Sequence, residues 1–169
     1  MSPSSDESAS PLCFACDAMC GGLVRWLRAY GYDTTYTKGV EDRELIEHAL
    51  REGRVLISSD GPMFERKVLR DGTLPGFRLP RGLKLLDQFR EVVRVFRLPP
   101  LDARCTVCNG ELELVGRDGV ADRVPAKSLI WATEFYLCRA CGKAYWNGSH
   151  WRRIEVVRRR MAKLAGEPA

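Results

Sequence analysis

Two cysteine pairs with the spacing Cys-x-x-Cys restrict the fold of this chain more than any other feature. They are Cys105 with Cys108 and Cys138 with Cys141, and 29 residues lie between the two pairs. Four thiolates brought together in this way form the tetrahedral ligand set of a structural zinc ion. A thioredoxin-like redox function is disfavoured because neither pair lies in a strand–helix–strand pattern. We therefore predict a zinc-ribbon module in which these cysteines bind Zn²⁺.

The chain before Pro99-Pro100 alternates between apolar runs and segments of helical periodicity. Such alternation is typical of an α/β fold, a parallel sheet flanked by helices. We divide the chain into a disordered N-terminus (1–11), an α/β domain (12–100) and a zinc ribbon with a basic C-terminal helix (101–169). The patterns predict strands at 12–16, 32–36 and 55–57, helices at 23–30, 42–52, 62–70 and 83–96, and a loop at 71–82.

Three aspartates stand where a parallel sheet binds ligands. Asp17 and Asp60 each follow an apolar run, and Asp42 opens a predicted helix. Because ligands bind at the carboxyl ends of parallel strands, we expect these side chains at one edge of the sheet. Mg²⁺ or Mn²⁺ would relieve the repulsion between such carboxylates and prefers oxygen ligands. The sequence also allows a simpler interpretation, with Asp42 as a helix cap and the other two in turns.

Positive charge is concentrated in the C-terminal part of the chain. The net charge is +5, and residues 101–169 hold 12 of the 27 Lys and Arg but 8 of the 22 Asp and Glu. On the predicted last helix, cations that include Arg152 and Arg153 oppose an apolar stripe. They suit a nucleic-acid backbone, and equally a solvated helix face. Tyr145 and Trp146 suit either base stacking or the core of the zinc module.

Composition excludes several classes of protein. No apolar stretch approaches the roughly 18 residues of a membrane-spanning helix. Residues 1–11 lack the basic start and apolar core of a secretory signal. Seven cysteines in such a chain indicate metal binding rather than disulfides, although Cys13, Cys16 and Cys20 are expected to pack as small apolar residues. We expect a cytoplasmic protein that binds no membrane. The positive excess suits a polyanionic partner, most simply nucleic acid, although the charge taken by itself favours ordinary solubility.

Three stretches of the chain resemble the Mut7-C RNase family. The first is DAMCGGLVRWLRAYGYD at 17–33, and the others are RCTVCNG at 104–110 and CRACGKAYWNGSHW at 138–151. The resemblance extends from about residue 12 to residue 164. It implies a PIN-like nuclease fold, a parallel sheet flanked by helices, followed by a small zinc ribbon and a basic C-terminal helix.

The resemblance also implies a function and a set of site residues. PIN-like nucleases cut single-stranded or structured RNA with Mg²⁺ or Mn²⁺ held at the sheet edge. A metal-dependent endoribonuclease acting on single-stranded RNA, tRNA or rRNA is therefore expected, with the zinc ribbon assisting RNA binding. The expected catalytic and metal-binding residues are Asp17, Asp42 and Asp60, and the expected substrate-binding residues are Arg25, Arg28, Arg152 and Arg153.

The sequence departs from the family pattern at three places. The family commonly carries Lys at the position of Gly22 and Arg at that of Ser59, and a fourth acid has no clear match, with Glu41 and Glu44 as candidates. Loss of these groups would weaken catalysis. The alternative function is therefore a catalytically weakened RNA- or ribosome-binding protein of the same fold.

Overall fold

The computed structural model describes residues 11–166, so the predicted disordered N-terminus lies outside this range except for Pro11. Four parallel strands form the main sheet in the order β2-β1-β3-β4. They are β1 (Phe14–Cys16), β2 (Thr34–Tyr36), β3 (Val55–Ser58) and β4 (Gly76–Arg78). The helices of this part are α1 (Gly21–Tyr30), α2 (Asp42–Glu52), α3 (Gly61–Phe64), α4 (Lys67–Arg70) and α5 (Leu85–Phe96).

Alternate residues of the central strands point to opposite faces of the sheet, because side chains alternate along a strand. Phe14 and Ile57 pack on the face covered by α1 and α5. Ala15 and Leu56 pack on the opposite face, against α2. Both faces are therefore buried, which explains why β1 and β3 are uninterrupted apolar runs in the sequence.

Helix α1 ends at Gly31 for a local and a tertiary reason. Gly31 has a φ of 108°, in the left-handed region that ends helices at low cost for glycine. A Cβ at this position would also clash with Leu101. The chain that links the sheet to the C-terminal part therefore passes directly over the end of α1.

The C-terminal part forms a second, antiparallel sheet in the order β5-β6-β7. We call residues 104–146, which hold this sheet and both cysteine pairs, the ribbon module. Its core contains Val120, Val124 and Phe135. Its elements and the last helix are β5 (Leu112–Val115), α6 (Ala126–Trp131), β6 (Phe135–Cys138), β7 (Ala144–Trp146) and α7 (Ser149–Ala165).

The structure confirms the parallel α/β sheet and corrects three details. Strand β4 lies within the predicted loop 71–82, and α3 and α4 replace a single helix at 62–70. Helix α7, which was grouped with the ribbon, packs against the main domain through Met161. Within residues 11–166, no helix combines the length and the apolar character that a membrane crossing requires.

Candidate active site and metal centre

The connections of the main sheet create a crevice between β1 and β3. After β1 the chain enters α1 on one face, whereas after β2 it enters α2 on the other. The helices therefore diverge where β1 and β3 lie side by side, and such a switch point is where open α/β sheets bind ligands. Asp17 directly follows β1 and Asp60 lies two residues beyond β3, so both stand at this crevice.

Asp17 is held in place by the neighbouring strand. Its backbone N–H donates to the carbonyl of Ile57 at 3.1 Å, and the Ser58 hydroxyl donates to its Oδ2 at 2.7 Å. The same hydroxyl accepts a 2.9 Å hydrogen bond from the backbone N–H of Asp60. Ser58 is fully buried and thus ties the two aspartates together.

Asp17 is 9% exposed, and its carboxylate has no ion pair with any residue in 11–166. A carboxylate removed from water without a cation is unfavourable. Ser58 supplies one hydrogen bond, which offsets part of this cost. The position therefore favours a cation in the crevice.

Asp42 lies apart from this pair in its contacts. It is the first residue of α2, where its charge is favourable at the helix N-terminus, but Glu41 is the N-cap and makes no side-chain capping bond. Arg66 lies 3.4 Å from its Oδ2. Among the residues described, the three aspartates do not form a group whose oxygens lie within 4.8 Å of one another.

The sequence analysis missed two arginines beside the acids. Arg81 donates from Nε to the Ser59 carbonyl at 3.4 Å, and its Nη2 lies 3.9 Å from Oδ1 of Asp60. Arg78, which ends β4, shares a surface pocket with Arg81 and Gly61. Because the segment was assigned to a loop, no sequence pattern placed these side chains at the sheet edge.

Of the two arginines predicted on α1, only Arg25 is exposed. Arg28 is buried, and its guanidinium donates to the carbonyls of Thr34, Thr106 and Val107. These contacts correct the predicted substrate-binding function of Arg28. Its N–H groups join β2 to the ribbon module instead.

The four ribbon cysteines meet at one point. Their sulfur atoms lie within 4.8 Å of one another, with Sγ–Sγ distances of 3.7 Å between Cys105 and Cys141 and 3.4 Å between Cys108 and Cys138. Zn–S bonds of about 2.3 Å in a tetrahedron require sulfur atoms about 3.8 Å apart. The cluster can therefore bind a metal ion such as zinc.

The backbone around the cysteines fits a metal site. A Cβ at Gly110 would lie 2.8 Å from the Cys138 sulfur and 3.3 Å from the Cys108 sulfur. Burial raises the pKa of Cys105, but the Tyr145 hydroxyl, 3.1 Å from its sulfur, and the amides of Val107 and Cys108 outweigh burial and lower that pKa to about 6. Cys105 is therefore largely a thiolate at neutral pH, which is the form of cysteine that binds a metal ion.

Cys13, Cys16 and Cys20 do not belong to this cluster. Cys16 and Cys20 are buried in the main core. Burial raises the pKa of all three thiols, to about 11 for Cys20. The structure thus supports the expectation that Cys16 and Cys20 pack as small apolar residues, whereas Cys13 is only partly buried.

Arg152 and Arg153 are exposed in the first turn of α7. The Arg152 guanidinium lies 5.9 Å from the centre of the Trp131 ring. Trp146 packs against the ribbon core. The Tyr145 hydroxyl holds the cysteine turn in place, because it accepts a hydrogen bond from the backbone N–H of Thr106 at 3.1 Å. Both aromatic residues therefore stabilise the ribbon module.

Comparison with known proteins supports a nuclease. The human (Homo sapiens) exonuclease mut-7 homolog is 31% identical over 125 residues, which are 70% of this chain but 14% of that protein. The chain thus spans a small part of the length of this relative. No solved structure matches the present chain. The model of the Mut7-C RNAse domain matches residues 13–157, and the chain belongs to this family of nucleases.

Proposed function

We propose that this protein is a metal-dependent endoribonuclease whose Mg²⁺ or Mn²⁺ site lies at the crevice between β1 and β3. The observation that carries the proposal is the nearly buried Asp17 carboxylate, which has no ion pair within residues 11–166 and lies beside Asp60 at the switch point. Membership of a nuclease family supplies the reaction class. The substrate is RNA, in single-stranded form or as tRNA or rRNA.

The donor set fits a hard divalent cation. Asp17 and Asp60 offer carboxylate oxygens, and Asp42 is the third proposed ligand at the start of α2. Mg²⁺ and Mn²⁺ are held by a few carboxylates together with substrate phosphate. When bound, the ion supplies a Lewis acid and charge compensation for phosphodiester hydrolysis.

The side chains around the crevice orient and bind the substrate. Ser58 holds the Asp17 carboxylate in one orientation through a 2.7 Å hydrogen bond. Arg81 presents a guanidinium that is 71% exposed beside Asp60, and Arg25 presents another on α1. Guanidinium groups bind phosphate oxygens through two parallel hydrogen bonds, so these two arginines place the RNA backbone over the acids.

The C-terminal part assists RNA binding. Its cysteines bind Zn²⁺ as a closed structural site, because four protein ligands leave no position for substrate. Arg152 and Arg153 on α7 are exposed cations that contact phosphates. The ribbon module and α7 thereby extend the contact with RNA beyond the crevice.

The alternative is an RNA- or ribosome-binding protein with weakened catalysis, and the missing basic side chain at Gly22 favours it. Gly22 carries no side chain, and a Cβ there would lie 2.9 Å from Leu85 Cδ1, so a lysine would require Leu85 to move. At the other departure, Ser59, the Arg81 guanidinium is hydrogen-bonded to the Ser59 carbonyl. Arg81 therefore supplies positive charge beside this position, which favours the enzyme.

Circular single-stranded RNA tests the proposal, because only an endonuclease can cut a circle. We expect linear products with Mg²⁺ or Mn²⁺ and none when these ions are omitted. Omission is preferable to chelation because the cysteine site then keeps its ion. Asp17→Asn removes a carboxylate charge with little change of shape and should abolish cutting.

Asp122→Asn is the matched control, since this carboxylate is 74% exposed on the ribbon module. It should cut at the wild-type rate. Full activity of Asp17→Asn would rule out the crevice as the active site. RNA binding by the wild type without cutting, in either ion, would establish the binding protein instead.

A further inference from the structure

A groove runs between the ribbon sheet and α7, away from the acidic residues discussed above. Its volume is about 550 Å³. Four aromatic side chains line it, Tyr136 and Tyr145 from the sheet, Trp146 at the end of β7 and Trp151 from α7. We call this cavity the aromatic groove. It has no assigned function in the mechanism proposed for the crevice.

The strand register builds the floor of the aromatic groove. Leu114 of β5 is paired with Tyr136 of β6, and Tyr136 is paired with Tyr145 of β7. Directly paired residues of antiparallel strands point to the same face, so the three side chains form one apolar row across the sheet. Leu114 is 65% exposed, which leaves this row open to a ligand.

The floor is held rigid from below. The Tyr145 hydroxyl bonds to the backbone N–H of Thr106 at 3.1 Å and lies 3.1 Å from the Cys105 sulfur. Because the cysteine turn fixes the ring, stacking a planar ligand on this row costs little side-chain entropy. A flat, rigid aromatic surface of this kind suits nucleobases.

The charges in the aromatic groove distinguish bases from phosphates. Asp102, Glu134 and Glu155 line it. Glu155 is paired with Arg158 at 3.3 Å and with Arg159 at 3.9 Å, and the Arg158 guanidinium also donates to the carbonyls of Ala29 and Leu101. Asp102 and Glu134 have no ion pair among the described residues, so their carboxylates repel phosphate and accept hydrogen bonds from the exocyclic amino groups of bases. The interior is therefore complementary to base edges rather than to the RNA backbone.

Cations suited to the backbone lie on α7, which forms one wall. Arg159 lines the aromatic groove, is 80% exposed and makes a long ion pair of 3.9 Å with Glu155, and the neighbouring Arg160 is exposed. When the bases of a strand lie in the groove, its phosphates can therefore lie outside the interior and contact this helix. The arrangement separates a stacking floor from a cationic rim, as single-strand binding requires.

We propose that the aromatic groove binds unpaired nucleobases of RNA by stacking on Tyr136 and Trp151, while the phosphates contact Arg159 and Arg160. This inference rests on the proposed function for the choice of RNA. It makes the ribbon module a second substrate site that selects single strands, because bases within a duplex cannot reach the floor.

The test compares two RNA oligonucleotides of about eight nucleotides, one with cytosine bases, which carry an exocyclic amino group, and one abasic. Both bind to the Asp17→Asn variant, without added Mg²⁺ or Mn²⁺, and affinity is measured by fluorescence anisotropy. We expect the oligonucleotide with bases to bind about 5- to 100-fold more tightly. Tyr136→Leu should remove most of this preference and leave the affinity of the abasic strand unchanged, whereas Tyr136→Phe should keep it.

Trp151→Leu repeats the test from the other wall, and bound zinc verifies that each variant is folded. Equal affinity for the two strands in the parent protein would overturn the proposal and leave the aromatic groove as a surface for a protein chain. A base preference unaffected by Tyr136→Leu and Trp151→Leu would overturn it as well. The two proposals fail on different results. Absence of metal-dependent cutting would overturn the nuclease proposal and would leave the base preference measured here unchanged.

Discussion

Arg28 of α1 donates from Nη1 to the carbonyl of Val107, inside the first cysteine pair, at 2.8 Å. Its Nε and Nη2 donate to the Thr34 carbonyl at 3.0 and 2.8 Å. Asn109 reinforces this contact, because its Oδ1 accepts from the Thr34 N–H at 3.0 Å and its Nδ2 donates to Asp33 at 2.8 Å. The cysteine turn is thus docked directly on β2 of the main sheet.

Arg28→Ala should destabilise the protein by about 2–4 kcal/mol, because it leaves the buried Thr34 carbonyl and the partly buried carbonyls of Thr106 and Val107 without this donor. Urea unfolding followed by circular dichroism measures the change. Arg28→Lys should recover only part of the loss, since an ammonium cannot reproduce the planar fork of a guanidinium.

Arg25→Ala is the matched control on the same helix. Arg25 is exposed, so the free energy of unfolding should change by less than about 0.5 kcal/mol. Equal losses for the two variants would show that the Arg28 contacts do not stabilise the docked arrangement.

The contrast between Arg25 and Arg28 shows a limit of sequence analysis. The periodicity of α1 predicted the helix and its apolar side, but it could not show that a turn 78 residues further along the chain supplies carbonyls to Arg28. The same limit applies to β4, whose residues are mostly exposed. Its pairing with β3 is a tertiary contact that leaves no apolar run in the sequence.

Other features were predictable because the signal is local. The spacing of Cys105, Cys108, Cys138 and Cys141 predicted the cysteine cluster, and the apolar runs predicted β1 and β3 with an aspartate after each. The order of the strands was not predictable, and it is this order that makes Asp17 and Asp60 neighbours. The metal-binding role of these acids, and that of Asp42, stays a prediction.

Cys138→Ser should reduce zinc content from about one ion per chain to nearly none, since three cysteines and a hydroxyl form a much weaker ligand set. Mass spectrometry under native conditions measures the metal. The ribbon module should lose protection from proteolysis at the same time, because little else fixes its short strands. Cys13→Ser, outside the cluster, should retain the ion, and loss of zinc in that variant would contradict the assignment.

Gly110→Ala should weaken zinc binding without removing a ligand. The added methyl would lie 2.8 Å from the Cys138 sulfur and 2.9 Å from Ala140 Cβ, so the second cysteine pair must shift. Competition with a chromogenic chelator should show about a tenfold loss in affinity, comparable to other changes next to metal ligands. At Gly116 nothing lies within 4 Å of an added Cβ, so Gly116→Ala should bind zinc as the wild type does.

Arg81→Ala should lower kcat/KM for RNA cleavage about tenfold, which corresponds to about 1.4 kcal/mol of transition-state stabilisation. The reason is loss of the guanidinium that lies 3.9 Å from Asp60. Arg94→Ala on α5 removes another exposed arginine, 51% against 71% for Arg81, away from the crevice and should leave kcat/KM unchanged. Equal effects would attribute the loss to overall charge rather than to position.

Asp33 should make the stability of the docked arrangement depend on pH. Burial raises the pKa of its carboxyl, but hydrogen bonds from Arg54 at 2.6 Å and Asn109 at 2.8 Å outweigh burial and lower that pKa below its ordinary value of 3.8. A carboxyl with a lowered pKa in the folded state stabilises the protein above the pKa of the unfolded state. This contribution is lost as the pH falls below about 4.

Asp33→Asn should therefore reduce the free energy of unfolding at pH 7 and flatten its decline between about pH 5 and pH 3. Urea titrations at several pH values measure both effects. Asp118→Asn, at an exposed position of the ribbon module, should preserve the wild-type pH dependence. As the pH falls, the unfolded chain takes up the proton at Asp33 before the folded chain does, so the free energy of unfolding of the wild type must decline in acid. A decline of the same size in Asp33→Asn would show that other carboxylates cause it.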